Sequence, residues 1–147
     1  MPATGEPVTL VLDTNVIVAA LLWEGVPRQL LEALAADPFV TLASSPHLLA
    51  ELDRVLAKPQ LSQRLQQSSL DADQLMARYA RLVTIVQPQS VPRVVSGDVD
   101  DDHVLALAVA AKAAFIVSGD RAHLLPIGRH AGIAIITPRE AMDLFRP

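Results

Sequence analysis

At 147 residues the chain is most simply one domain, able to bury about two thirds of its unfolded surface without a disulfide or metal staple. It has no cysteine, which excludes a disulfide framework, a thiolate zinc site and a thiol nucleophile. Its net charge of −4 argues against nucleic-acid binding through a broad basic face, and no apolar run approaches the ~20 residues that span a bilayer. The opening Met1 to Pro7 lacks the basic start and apolar core of a signal peptide, so the chain reads as soluble and cytoplasmic, with no membrane partner.

Val8-Thr9-Leu10-Val11-Leu12 is a short apolar and β-branched run that ends abruptly at Asp13-Thr14-Asn15. Such a run reads as a strand buried on both faces, which points to a parallel sheet with Asp13 at its carboxyl end. Val16 to Trp23 follows as a buried helix, and Pro27 at a first-turn position opens a second helix over Arg28 to Leu34. Phe39 to Ala43 is the second strand. Ser45 and Pro46 then cap and open a third helix, whose stripe is Leu48, Leu49, Leu52, Val55 and Leu56. At ~100° per residue Glu51 falls just outside one edge of that stripe, and Lys58-Pro59 ends the helix.

Leu61 to Gln67 and Leu70 to Leu82 read as two more helices, Val83 to Val86 as the third strand and Gln87 to Gly97 as an extended connection. Asp98, Asp100, Asp101 and Asp102 precede an alanine-rich apolar helix over Val104 to Ala111, whose dipole favours ionised carboxylates at its start. Phe115 to Ser118 is the fourth strand, followed by Gly119-Asp120. An irregular segment leads to the fifth strand, Ile133 to Ile136, and Thr137-Pro138-Arg139-Glu140 is a capping box for the last helix. There are no internal repeats, linkers or low-complexity segments.

Alternating strands and helices imply an α/β fold with a mainly parallel five-stranded sheet and helices on both faces. Right-handed crossovers put all the carboxyl ends on one edge, where ligands bind in open parallel sheets. Asp13 and Asp120 follow strands on that edge, Asp102 opens a helix facing it, and Glu51 lies in the second turn of another. Packed carboxylates stay ionised only beside a cation or a shared proton. Oxygen ligands without Cys or a His pair suit Mg²⁺ or Mn²⁺ rather than zinc. The reaction implied is phosphodiester hydrolysis, with Thr14, Asn15 and Ser118 orienting carboxylates and water.

Asp13-Thr14-Asn15, Glu51 in a helix, Asp102 opening a helix and Ser118-Gly119-Asp120 after a strand together resemble a PIN-domain protein, most nearly the VapC-like toxins of bacterial toxin-antitoxin systems. The resemblance runs from Val8 to Phe145. It implies a PIN-like three-layer sandwich and a Mg²⁺- or Mn²⁺-dependent endoribonuclease acting on RNA. Its catalytic and metal-binding acids are then carried by Asp13, Glu51, Asp102 and Asp120, with Asp101 substituting or assisting. It also implies a homodimer and an inhibitory antitoxin partner. The chain departs from an RNA-binding composition in having only two lysines, Lys58 and Lys112, and ten scattered arginines; Arg93, Arg121, Arg129 and His103 are the cationic or titratable groups expected near the edge.

Each acid alone has a plainer reading: Asp13 as a helix cap, Glu51 paired with Arg54 on a helix flank, the Asp98 to Asp102 run as a capped helix start, Asp120 as a turn residue. Their joint arrival on one edge is what favours a site. A dehalogenase-like phosphatase needs a second acid where Asn15 stands, and a receiver domain needs a paired acid on the first strand and a late lysine. The non-enzymatic alternative is a catalytically silent PIN-fold module working through a protein partner.

Overall fold

A computed structural model describes residues 6–95 and 98–146. Six strands form one sheet: β1 (Val8–Leu12), β2 (Val40–Ser44), β3 (Val83–Ile85), β4 (Phe115–Val117), β5 (Arg129–His130) and β6 (Ile133–Ile136), in the order β3-β2-β1-β4-β6-β5. Every pairing is parallel except β5 with β6. The expected five-stranded sheet thus gains a sixth, antiparallel edge strand. It is only two residues long, below the reach of any periodicity, and its tight return uses Ala131 at φ 50° and Gly132 at φ 81°, the positive-φ pair that two-residue hairpins require.

Among the described residues seven α-helices flank the strands: α1 (Thr14–Leu22), α2 (Val26–Ala36), α3 (Pro46–Leu56), α4 (Ser62–Gln67), α5 (Ala72–Leu82), α6 (Val99–Ala110) and α7 (Pro138–Phe145). Their starts follow local chemistry. The hydroxyl of Ser45 accepts the Leu48 N–H, and capping boxes open α5 (Asp71 with Gln74) and α7 (Thr137 with Glu140). Residues 87–95 run without regular structure, and the rest of the expected connection, Ser96 and Gly97, lies outside the described residues, as does the Met1 to Gly5 opening.

Alternation along the strands divides the core. Leu10, Leu12, Leu42 and Val117 face a cluster built from α1, α2, α3, α5 and α7, including Ile17, Leu30, Leu34, Leu52 and Phe145. Val11, Ala43, Ile116 and Ile135 face the other way, against Val104, Leu105, Leu107 and Ala108 of α6. The result is a three-layer α/β/α sandwich with every parallel strand ending on one edge. Among the described residues no helix is long and apolar enough to cross a membrane.

The boundary that matters most is that of α6. It begins at Val99, with Asp98 as its N-cap, so Asp100, Asp101 and Asp102 form its first turn rather than a loop ahead of it. Their side chains therefore point in directions about 100° apart.

Candidate metal centre

Asp13 sits at the end of β1 and is 6% exposed. Its Oδ1 accepts the Thr14 N–H at 2.8 Å, so it also caps α1. Its Oδ2 accepts the hydroxyl of Ser118, from the end of β4, at 2.8 Å. The fully buried Ser118 Oγ in turn accepts the Asp120 N–H at 3.0 Å. One hydroxyl thereby ties the ends of two adjacent strands and fixes two acids relative to each other. Burial raises the Asp13 pKa above the ordinary carboxylate value; the bonds from Ser118 and Thr14 offset it in part, and the charges of Asp120 and Asp98 add to it.

Asp120 turns its Oδ1 back onto the N–H groups of Ala122 and His123, each at 3.0 Å. Burial acts to raise its pKa, yet the His123 N–H, the contact with Asp101 and the Ala122 N–H outweigh it and hold the group low. Its Oδ2 faces Asp98, Asp101 and the ring of His123, and these four side chains offer ligand atoms that all lie within 4.8 Å of one another. Asp101 is the buried member, at 6% exposure, and its Oδ2 has no hydrogen-bond partner. Burial, followed by the neighbouring carboxylates of Asp98 and Asp120, pushes its pKa up to about 8.

Asp102 lies one residue further around the helix and faces elsewhere. Its Oδ1 accepts the N–H groups of Val94 at 2.8 Å and Val95 at 2.6 Å, and its Oδ2 pairs with Arg93 Nε at 3.0 Å. The Val95 N–H first, then that of Val94 and the Arg93 guanidinium, hold its pKa low against the effect of burial. The structure thus brings Asp101, not Asp102, to Asp120. Asp102 instead pins the strap over residues 93–95 to α6.

Glu51 approaches Asp13 from the other side. It accepts a short hydrogen bond from the Thr14 hydroxyl and touches Asp100, whose Oδ1 is 2.8 Å from His47 Nε2. Burial raises the Glu51 pKa; the Thr14 bond opposes this, and Asp100 adds to it. In Asp100 burial is outweighed by the bonds to His47 and Glu51, so its pKa is lowered. His47 stacks on His103 with ring centroids 3.4 Å apart. Asn15 is exposed at the start of α1. Of the expected cationic groups, Arg93 is taken by Asp102 and Arg129 bonds Gly132 O on the far edge, while Arg121 stands exposed beside Asp120.

The fold agrees with the family comparison. The family model for the PIN domain matches residues 9–122, well over half of the chain. The chain belongs to the PIN-domain family. Among solved structures, this PIN domain is similar to the crystal structure of VapBC2 from Rickettsia felis bound to a DNA fragment from their promoter, at a TM-score of 0.59 and 16% identity, over 88% of this chain and 98% of that one. At that identity the likeness speaks for the fold. No curated protein matches the chain.

The PIN domain's donor set suits a divalent cation that takes mainly oxygen with one nitrogen: three carboxylates and one imidazole share a small volume, and the buried Asp101 Oδ2 accepts no hydrogen bond. The sequence puts Asp98 and Asp100 in an acidic cluster of the kind that attracts divalent cations without marking either as a site residue, and it shows His123 no partner at ligand spacing. Local bonds bring two of these three to the edge: Asp98, the cap of α6, accepts the Asp101 N–H, and the His123 N–H bonds Asp120 in the turn after β4.

Proposed function

We propose that this PIN domain is a Mg²⁺- or Mn²⁺-dependent endoribonuclease that hydrolyses RNA phosphodiester bonds, with Asp13, Asp101 and Asp120 at its centre. Asp98, Glu51 and Asp100 complete the acidic rim. The observation that carries the reading is the buried Asp101 Oδ2, which accepts no hydrogen bond and lies in the cluster with Asp98 and Asp120. A protein gains nothing in stability from that arrangement, and a divalent cation resolves it.

Asp101 and Asp120 would hold the cation, with Asp98 beside them. Asp13 keeps free lone pairs on both oxygens beyond the two bonds it accepts. Once bound, a divalent ion supplies an activated water and neutralises charge on the transferring phosphate. The protein's own part is positioning. Ser118 holds the Asp13 and Asp120 backbones in register, the Ala122 and His123 N–H groups fix the Asp120 carboxylate, and Thr14 fixes Glu51. The Glu51–Asp100–His47 chain, outside the four-residue cluster, is placed to take protons from solvent-side water. An acidic protein then meets RNA phosphates through its ions rather than through a basic face.

The resemblance to VapC-like toxins, together with a fold neighbour crystallised as VapBC2 on promoter DNA, supports a toxin role with an antitoxin partner; a homodimer and a cytoplasmic location complete the proposal and rest on the resemblance alone. The test is cleavage of structured and single-stranded RNAs with Mn²⁺, with Mg²⁺ and with EDTA, comparing wild type and Asp13→Asn. Metal-dependent cutting lost in the variant is the expected result. Equal cutting by both proteins would refute the assigned site. Manganese binding without cutting of any RNA would favour the silent partner-binding module.

A further inference from the structure

His123 occupies an unusual place. Its Nδ1 lies 3.6 Å from Asp98 Oδ2, 3.5 Å from Asp101 Oδ2 and 3.7 Å from Asp120 Oδ2. A histidine that served to bond one acid would draw in to about 2.8 Å of it and leave the others, as His47 does with Asp100 at 2.8 Å. Three near-equal separations leave the ring nitrogen among the three acids rather than bonded to one, in a cluster spread over no more than 4.8 Å that an ion could draw together. Ligand atoms about 2.1–2.2 Å from one ion lie roughly 3.0–3.6 Å apart, from octahedral to tetrahedral arrangement.

The ring is carried there by the backbone. Asp120 Oδ1 accepts the His123 N–H at 3.0 Å, which closes the turn after β4 and brings the side chain back over the acids. Asp101 Oδ2 is buried and accepts no hydrogen bond, so the centre it faces favours a cation.

We propose that His123 is a nitrogen ligand of the divalent-metal centre and makes it select Mn²⁺ over Mg²⁺. The inference rests on the metal-dependent reading given above and adds a ligand and a selectivity to it. Carboxylate oxygens alone serve Mg²⁺ and Mn²⁺ alike. An imidazole nitrogen favours Mn²⁺, the first member of the transition series of rising affinity, over Mg²⁺, which prefers oxygen and keeps its waters.

The experiment uses the full chain without a histidine tag. Mn²⁺ binding is followed by electron paramagnetic resonance, with Mg²⁺ as competitor, and the bound ion is examined by pulsed resonance for modulation from a coordinated ¹⁴N. Wild type should show the nitrogen modulation. His123→Ala should abolish it and weaken Mn²⁺ binding at least about tenfold, with a change in Mg²⁺ affinity smaller than about threefold. The ring is exposed and the variant keeps the backbone N–H that Asp120 accepts, so a thermal melt should confirm an intact fold. Bound Mn²⁺ without nitrogen modulation in wild type, or modulation that survives in His123→Ala, overturns the role of His123 and leaves the metal centre standing. A gain in Mn²⁺ affinity in the variant would also overturn it, because the ring would then act as a competing cation. Failure of wild type to bind Mn²⁺ at all would defeat the metal-centre reading and this inference with it.

Discussion

Asp101→Asn should make the metal-free protein more stable, an unusual outcome for a buried polar substitution. The change is nearly isosteric and removes a charge that faces Asp98 and Asp120 across less than 4.8 Å. At that separation and an effective dielectric of about 20, one carboxylate pair costs roughly 3 kcal/mol. Solvent reaches the outer acids, so screening reduces the net gain to about 1–2 kcal/mol. For a chain of this length that is a rise of about 2–6 °C in melting temperature. The pH dependence gives a second handle. Asp101 has its folded pKa raised from 3.8 to about 8. A raised carboxylate contributes stability that is complete below its unfolded pKa and is lost as pH rises through the folded one. The advantage of Asp101→Asn should therefore be small near pH 4 and grow up to about pH 8–9.

Thermal melts in EDTA across that range make the measurement. Saturating Mn²⁺ should reverse the order, since a ligand at about 100 times its Kd adds about 2.7 kcal/mol to the form that binds it. An Asp101→Asn protein that melts below wild type in EDTA at pH 8, or whose gain does not vary with pH, would show that the three acids do not repel in this way.

Asp102→Asn should behave oppositely: the amide oxygen still accepts the Val94 and Val95 N–H groups, but the NH₂ then faces the Arg93 guanidinium, donor against donor, and the lost ion pair lowers the melting temperature at neutral pH, yet purified folded variant at lower temperature retains Mn²⁺ binding by titration. Ser118→Ala strips a donor from Asp13 and an acceptor from the Asp120 N–H; a loss of about 1–3 kcal/mol by denaturant melts is expected, with RNA cleavage down about 10–100-fold. Thr14→Val, which removes the hydroxyl that holds Glu51, should reduce cleavage while leaving Mn²⁺ affinity within about threefold of wild type, read by the same titration.

Much of this architecture is legible in the sequence because the determining interactions are local. The apolar run ending at Asp13, the Ser45 and Thr137 caps and the strand-helix alternation all report short-range chemistry, and the convergence of Asp13 and Asp120 follows from strand direction alone. The helix acid is different. Around α6 apolar residues occupy even the exposed side, where Val109 is 47% exposed and Val99 is 51% exposed. With no polar face to set the phase, the sequence does not say which of three consecutive aspartates points at the sheet edge. The spacing of Asp102 to Asp120 is no substitute, since one residue along a helix is about 100° of rotation. The structure supplies the phase through the strap at 93–95, whose N–H groups claim Asp102. His123 was out of reach for another reason: its approach depends on a turn closed by a side chain, Asp120, bonding forward to the backbone.

The electrostatics of the edge separate the carboxylates by who satisfies them. Asp102, Asp100 and Asp120 are held low, each by donors the protein provides: backbone N–H groups, His47, or both N–H and neighbouring acid. Asp13, Glu51 and Asp101 are held high because burial and like charge exceed what the protein's donors return. Asp120 is bonded by N–H groups through Oδ1 alone and keeps Oδ2 free of them, whereas a carboxylate held low through both oxygens, as Asp102 is, gives a cation little to add. One that is raised gives the cation the whole cost of its charged form to relieve. That criterion picks Asp101 over its neighbour without reference to any relative. It also explains why the fold tolerates the cluster: the two apolar cores lie below the edge on either side of the sheet, so the repulsion is borne by side chains at strand and helix ends, where a bound ion can remove it without moving the scaffold.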